Sequence, residues 1–236
     1  MFTIKIANIT VCIENRYPHV RRLCEGYIVE DVEQADLYVS ISEDELGQQL
    51  AACKFPTSAA YAEGICVYRK ICEQIPERFG AFLFHGAVIE YEGRGYVFAA
   101  RSGTGKSTHI ALWQKHFGEA VRVINGDKPI MRFDGDTLYA YGTPWCGKEG
   151  LGTNASVPVK GLCFLERGEK NTIVRISPAD AVMRAFEQVL TPTDLSSVDV
   201  MFPLLDRLLL NTPCYLLTCN MEEEAAAVAY EGMCRE

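Results

Sequence analysis

The sequence lacks any excess of positive charge. Among its 236 residues, 23 Lys and Arg stand against 31 Asp and Glu, which gives a net charge of -8 and a pI near 5.1. A protein that neutralises a nucleic-acid backbone needs clustered basic side chains. The composition therefore argues against nucleic acid as a partner.

Long apolar runs are also missing. No stretch approaches the roughly 20 apolar residues of a membrane-spanning helix. The first residues, MFTIKIANITVCIENR, contain no basic segment followed by an apolar one, which is the pattern of a secretion signal. We expect neither a membrane partner nor a secreted protein.

Paired metal-binding or disulfide motifs are absent as well. The 10 cysteines include no C-x-x-C pair, and the 4 histidines show no ligand spacing with one another or with a cysteine pair. A disulfide scaffold and a zinc site are therefore not expected, and the thiols suit small buried side chains in a reducing cytoplasm. The histidines are His19, His85, His109 and His116.

What the sequence does contain is a globular balance of 48% hydrophobic and 23% charged residues, which is enough for a sizeable core. We predict an α/β fold in three parts. Residues 1–58 form a small β-rich N-terminal module, residues 59–80 form a linking helix, and residues 81–236 form the main domain.

In the N-terminal module, apolar and polar residues alternate over 2–6 and 37–41, which predicts half-buried strands of an antiparallel sheet. Ser42 and Glu45 form a predicted capping box. The helical pattern of 59–75 should end at Pro76, because proline interrupts the backbone hydrogen bonds of a helix.

The main domain alternates strand and helix patterns. Two strands flank a turn at 92–95, and a helix at 107–115 and a buried strand at 121–125 follow. Next come a hairpin of 130–133 with 137–141 and paired strands at 161–166 and 172–176. A helix begins at Ser177-Pro178, and a last helix begins near Asn220.

The stretch AARSGTGKSTH (99–109) nearly matches the phosphate-loop pattern G-x-x-x-x-G-K-[ST], with Ala100 in place of the first glycine. Gly103 and Gly105 supply unusual backbone angles, and Lys106 supplies a full positive charge at a helix N-terminus. Ser107 is placed to bind magnesium. The alternative is a strand-to-helix turn that matches by accident, in which case Lys106→Ala would leave nucleotide affinity unchanged.

A nucleotide site also needs a carboxylate near the metal. Asp127 follows the apolar strand in VRVINGDKP, so it should emerge beside the phosphate loop. Asn125-Gly126-Asp127 can equally be a plain polar turn.

Three further side chains are candidates. His85 lies in FLFHGA, in a predicted strand beside the one that carries the loop, where it is either a phosphate contact or a core histidine. Lys148, in the glycine-rich segment GTPWCGKEGLGTN (142–154), is either a partner of the transferred phosphoryl group or part of a solvated connection. His109 is expected to pack on its helix.

These residues resemble a known family. FHGAVIEYEGRGYVFAARSGTGKST followed by VINGDKP is similar to the core of HPr kinase/phosphorylase, and GTPWCGKEGLGTN to that of short bacterial HPr-kinase-related proteins. The resemblance covers about residues 81–176. It implies the P-loop core with a mixed sheet that this family shares with phosphoenolpyruvate carboxykinase.

The resemblance also implies roles for individual residues. Asp127 becomes the base for an acceptor hydroxyl or a second contact to Mg²⁺, His85 a helper on the phosphate side, and Ser107 a magnesium ligand. The family commonly has two aspartates where this chain has Gly126-Asp127, and its segment for contacting HPr is absent. The nucleotide-binding set is Ser102, Gly103, Thr104, Gly105, Lys106, Ser107 and Thr108.

The leading hypothesis is an ATP-dependent kinase, with Asp127, His85, Lys106 and Lys148 as catalytic residues and ATP and Mg²⁺ as cofactors. The acceptor is a hydroxyl, on a serine of a peptide or small protein or on a metabolite. The alternative is a nucleotide-binding sensor or scaffold without chemistry, and a carboxykinase is a weaker third. The sequence leaves open GTP or pyrophosphate as donor, the reverse reaction, and a homo-oligomeric assembly.

Overall fold

The computed structural model describes residues 1–190 and 195–234. The predicted main domain, 81–236, includes residues 191–194 and 235–236, which lie outside the described ranges.

The N-terminal part forms a four-stranded sheet beside three helices. The strands are β1 (Phe2–Ile6), β2 (Ile9–Glu14), β3 (Ile28–Val29) and β4 (Leu37–Ser40), and the helices are α1 (Pro18–Leu23), α2 (Glu43–Ala52) and α3 (Ala59–Phe79). The strand order is β3-β1-β2-β4. Ala7 and Asn8 close the β1-β2 hairpin with φ angles of 49° and 59°, as a tight hairpin turn requires.

Two predictions for this part were wrong. β4 runs parallel to β2. The connection between them contains α1 and β3, and it is long enough to return the chain to the end of the sheet where β2 began. Apolar alternation predicts which face of a strand is buried but not the direction in which the strand runs. Helix α3 continues through Pro76 and ends at Gly80, which has a φ of 58°. Pro76 lacks the N–H that would continue the helix hydrogen bonds, and the burial of Ile71, Ile75 and Pro76 itself holds this part of the helix in place.

The capping box on α2 is confirmed. The Ser42 side chain accepts a hydrogen bond from the Glu45 backbone N–H, and the Glu45 side chain accepts one from the Ser42 backbone N–H.

The main part is a nine-stranded mixed sheet with helices on both faces. Its strands are β5 (Ala81–Leu83), β6 (Gly86–Tyr91), β7 (Arg94–Ala99), β8 (Arg122–Asn125), β9 (Ile130–Asp134), β10 (Thr137–Tyr141), β11 (Ser156–Arg167), β12 (Thr172–Ile176) and β13 (Cys214–Cys219). Its helices are α4 (Lys106–Phe117), α5 (Pro178–Phe186), α6 (Leu195–Asn211) and α7 (Glu224–Cys234).

The strand order is β5-β9-β10-β11-β7-β6-β8, with β13 joined to β11 and β12 joined to β13. β6 and β7 are antiparallel, whereas β11 is parallel to both β7 and β13. The prediction that 161–166 and 172–176 pair with each other was wrong, because β13 lies between them. The last helix begins at Glu224, four residues after the predicted start at Asn220.

Apolar side chains on the two faces of this sheet form separate clusters. On one face, Phe98 and Tyr96 of β7 pack with Trp113 of α4 and with the alanines of α7; we call this the α4-face cluster. On the other, Val97 and Ala99 of β7 pack with residues of α5 and α6; we call this the α5-face cluster. The sheet is therefore a middle layer that presents the end of β7 between two helical layers.

All 10 cysteines are free thiols. Within 1–190 and 195–234, no helix has both the length and the apolar character needed to cross a bilayer.

Candidate active site

The loop between β7 and α4 brings a strand end to a helix N-terminus. Gly103 and Gly105 have φ angles of 80° and 134°, which side chains other than glycine rarely adopt. No side chain caps the N-terminus of α4, so its first N–H groups remain free to face an anion. Ala100 is buried and does not have a positive φ, which explains why a glycine is not required at that position.

Lys106 is turned inward at the start of α4. It is 8% exposed, and its Nζ lies 3.1 Å from the carbonyl oxygen of Ala100 and 3.1 Å from Nε2 of His85. Burial lowers the pKa of the Lys106 ammonium, Asp127 opposes that change, and Lys128 adds to it. The Lys106 side chain is therefore fixed between the end of β7 and His85.

His85 and Asp127 meet on the same side of the loop. His85 does not lie inside a continuous strand as predicted; it lies in the break between β5 and β6. Its Nε2 lies 3.3 Å from Oδ1 of Asp127, and Lys128 Nζ contacts Oδ2 of the same carboxylate. Burial raises the pKa of Asp127, but the hydrogen bonds from His85 and Lys128 and their charges outweigh it and lower that pKa to about 2.

Gln188 determines which ring nitrogen of His85 carries the proton. With its amide nitrogen toward the ring, Gln188 donates to His85 Nδ1 at 3.1 Å and to the carbonyl oxygens of His85 and Ala100 at 3.2 and 3.3 Å. An accepting Nδ1 leaves the proton of a neutral ring on Nε2. His85 then donates to Asp127, and the Lys106 ammonium donates to the carbonyl oxygen of Ala100 rather than to Nε2.

Asn125 fixes the backbone of Asp127. This fully buried side chain accepts hydrogen bonds from the N–H groups of Asp127 and Lys128 at 2.9 and 2.7 Å. Its amide nitrogen donates to the carbonyl and hydroxyl oxygens of Thr143, both at 3.1 Å. Asn125-Gly126-Asp127 is thus a turn, as the alternative interpretation held, and the same turn presents the carboxylate to His85.

The segment 142–154 passes beside this turn. Gly126 N–H donates to the carbonyl oxygen of Leu151 at 2.9 Å, and a Cβ added to Gly147 would lie 3.1 Å from Cβ of Asp127. Lys148 itself is exposed, and the structure does not bring it into contact with the other candidate residues. Lys148 directly follows Gly147, the residue of this segment that lies beside Asp127.

The remaining loop residues differ in accessibility. Thr104 N–H donates to the carbonyl oxygen of Arg101 at 3.1 Å, which closes a turn inside the loop. Ser107 is half-buried in the first turn of α4, whereas Ser102 and Thr108 are exposed. In the part of the chain that the structure describes, no group of three or more His, Cys, Asp or Glu side chains is arranged to hold a metal ion.

The comparisons with known proteins identify the family. A model of the family described as "ScmC: SynChlorMet cassette protein ScmC" matches residues 62–222. The chain belongs to the ScmC family. That description names no reaction, so the function of this ScmC-family chain has to be argued from its site.

Other comparisons add little to the ScmC assignment. A solved structure, the Hpr(Ser) kinase/phosphatase from Coxiella burnetii, is similar over 64% of this chain and 87% of that chain, with 9% identity and a TM-score of 0.38. A similarity of this size does not extend to individual residues. No curated protein matches the chain.

A cavity of about 900 Å³ opens beside the loop between β7 and α4 of this ScmC-family chain. Residues 99–104 form one wall, the end of β11 forms the floor, and α5 with Gln188 forms the other wall. An ion pair of Arg101 with Glu187 at 3.1 Å joins the two walls, and one of Arg184 with Glu166 at 2.5 Å joins α5 to the floor. Gln188 connects the cavity to His85.

Sequence reasoning missed Asn125, Gln188 and Lys128. Asn125 had a local signal, since an Asn two residues before an Asp at a strand end is typical of a side-chain-stabilised turn. Gln188 had none, because it lies 103 residues from its partner His85.

Proposed function

We propose that this protein is an ATP-dependent phosphotransferase that moves the γ-phosphoryl group to a hydroxyl. One observation carries the proposal: Lys106, His85 and Asp127 converge beside an uncapped helix N-terminus. Phosphoryl transfer requires in-line positioning, charge stabilisation and a group that orients the nucleophile. The convergence supports each of these roles.

The residues present fit Mg-ATP. Gly103 and Gly105 leave the loop without side chains that would fill the cradle, and the uncapped N–H groups of α4 supply hydrogen-bond donors for phosphate oxygens. Ser107 and Asp127 offer the hard oxygen ligands that Mg²⁺ prefers. Bound magnesium would neutralise charge on the phosphate oxygens. Lys106 would contribute a positive charge to the same oxygens.

Asp127 orients the acceptor hydroxyl and takes its proton. The oxygen of the hydroxyl forms a bond to the γ-phosphorus, the bond from that phosphorus to the bridging oxygen breaks, and the hydroxyl proton passes to the carboxylate. Because the transition state is loose, the proton leaves the hydroxyl late, so the main task of Asp127 is to orient the hydroxyl. His85 holds the carboxylate in place, and Gln188 holds His85.

The cavity beside the loop gives the acceptor room. One wall contains Gln188, whose side chain lies 3.1 Å from Nδ1 of His85. This side chain alone therefore separates the cavity from the His85-Asp127 pair. Its volume of about 900 Å³ far exceeds that of a phosphate group, and suits a peptide side chain with its neighbours or a small metabolite.

A second candidate is a nucleotide sensor or scaffold that performs no transfer. Contact of Asp127 with Lys128 favours it, because an ammonium group on the single carboxylate competes with an acceptor hydroxyl. This candidate requires tight Mg-ATP binding without transfer.

The test follows labelled phosphate from γ-labelled Mg-ATP into fractions of the source cell's extract. We expect label in one peptide or metabolite with the wild type and none with Asp127→Asn, while both proteins bind Mg-ATP. Asp136→Asn, at a fully exposed aspartate, is the matched control and should behave as wild type. Equal labelling by Asp127→Asn would remove Asp127 from the mechanism, and no labelling by wild type with intact binding would favour the sensor.

A further inference from the structure

Arg167 reaches the phosphate loop from a neighbouring strand. It is the last residue of β11, which is parallel to β7, with Phe164 opposite Ala99. Parallel strands present their carboxyl ends at the same edge of a sheet. Three residues beyond Phe164, the Arg167 side chain therefore lies beside the loop that follows β7.

The guanidinium group bridges two successive carbonyl groups of that loop. Its Nε donates to the carbonyl oxygen of Thr104 at 3.1 Å, and a terminal nitrogen donates to that of Gly103 at 2.5 Å. In a planar trans peptide the C=O and the next N–H point in opposite directions. With the Thr104 carbonyl turned toward Arg167, the N–H of Gly105 is directed to the opposite side, where α4 begins.

We propose that Arg167 is a positioning residue that holds the loop in its phosphate-binding conformation before the nucleotide arrives. The inference rests on the proposed function, since it assumes that the loop binds the phosphates of Mg-ATP. The planar fork is essential, because two different nitrogens of the guanidinium group make the two bonds, and the single nitrogen of a lysine does not reproduce that geometry. Ordering the loop in advance lowers the entropy that binding must remove.

The test is calorimetric binding of Mg-ATP to the full chain. Arg167→Ala should raise the dissociation constant about ten-fold, because nucleotide binding must then order the loop, with no change in Tm measured without nucleotide. Arg167→Lys keeps the charge but loses the fork, and should bind nearly as weakly as Arg167→Ala. Arg175→Ala, at an exposed arginine of β12, is the control and should bind as wild type.

Two results would overturn the positioning role while leaving the proposed function intact. One is wild-type affinity in Arg167→Ala, and the other is full recovery in Arg167→Lys, which would assign the effect to charge alone. Failure of the wild type to bind Mg-ATP would overturn the proposed function and this inference together, and no variant is needed to recognise that outcome.

Discussion

At the scale of the residue, His109 shows what burial alone does to a side chain. It is 2% exposed, its Nε2 accepts a hydrogen bond from Trp113 Nε1 at 3.0 Å, and its Nδ1 has no hydrogen-bond partner. Burial lowers the pKa of His109 to about 4. The ring thus serves packing, as the sequence suggested, and remains neutral in the folded protein.

This predicts a loss of stability on mild acidification. The unfolded chain takes up a proton at His109 near pH 6.5, and the folded chain only near pH 4. The neutral His109 therefore contributes fully to the free energy of unfolding above pH 6.5, and this contribution declines as the pH falls toward 4. Between pH 7.5 and 5, wild type should lose about 2 kcal/mol more unfolding free energy than His109→Gln. Urea titrations at each pH measure this, and parallel pH profiles for the two proteins would contradict it.

Single residues were predictable where their signal is local. Lys106 and Asp127 are each marked by a short motif at a strand end, and the structure brings a side-chain atom of each within 3.3 Å of His85 Nε2. Arg167 and Gln188 act through contacts with residues 63 to 103 positions away, and such contacts leave no periodicity in the sequence. Lys128 follows Asp127 directly, but adjacency alone does not indicate that its side chain folds back onto the carboxylate.

At the scale of the element, the sequence predicted whether a segment is a helix or a strand better than it predicted which strands pair. The helix after the loop, the hairpin of β9 with β10 and the helix capped by Ser177 are confirmed. The pairing of β11 with β12 was wrong because a strand distant in sequence, β13, inserts between them. Alternating apolar residues describe how one strand is buried, whereas its neighbours depend on the whole topology.

The segment 142–154 is an element without regular structure that is nonetheless tightly packed. A Cβ on Gly142 would lie 1.9 Å from the carbonyl oxygen of Thr153, so the chain can pass there only with glycine. Of the glycines that from sequence suggested a solvated connection or a substrate loop, Gly142 and Gly152 allow close approach of neighbouring chain atoms, and Gly147 lies beside Asp127. Whether Lys148 takes part in transfer stays a prediction.

At the scale of the whole molecule, the N-terminal part shares its core with the main sheet. The third apolar cluster, which we call the N-terminal cluster, combines residues of β1–β4 and α1–α3 with Ala81, Ile130 and Trp145. Trp145 belongs to the segment 142–154 beside Asp127, and its ring lies 5.8 Å from that of Tyr68 on α3. The proposed boundaries at residues 58 and 80 therefore divide the chain in sequence, whereas the apolar packing continues across both of them.

This packing predicts a single unfolding transition. The two tryptophans report separate clusters, Trp145 the N-terminal cluster and Trp113 the α4-face cluster. In Trp113→Phe and in Trp145→Phe, the fluorescence of the remaining tryptophan should change at the same urea concentration as the far-UV circular dichroism of the same protein. If the fluorescence transition in either variant had a lower or higher midpoint urea concentration than the circular dichroism transition, the two parts would unfold independently.

The central claim is that the loop 102–108 binds the phosphates of a nucleotide, and calorimetric binding of Mg-ATP to Lys106→Ala tests it most directly. Removing a buried ammonium at the helix N-terminus should weaken binding at least about ten-fold. Lys115→Ala removes an exposed lysine on the same helix, which pairs with Glu223, and should bind as wild type. Unchanged affinity in Lys106→Ala would mean that the motif is an accidental match and that the site binds no nucleotide through this loop.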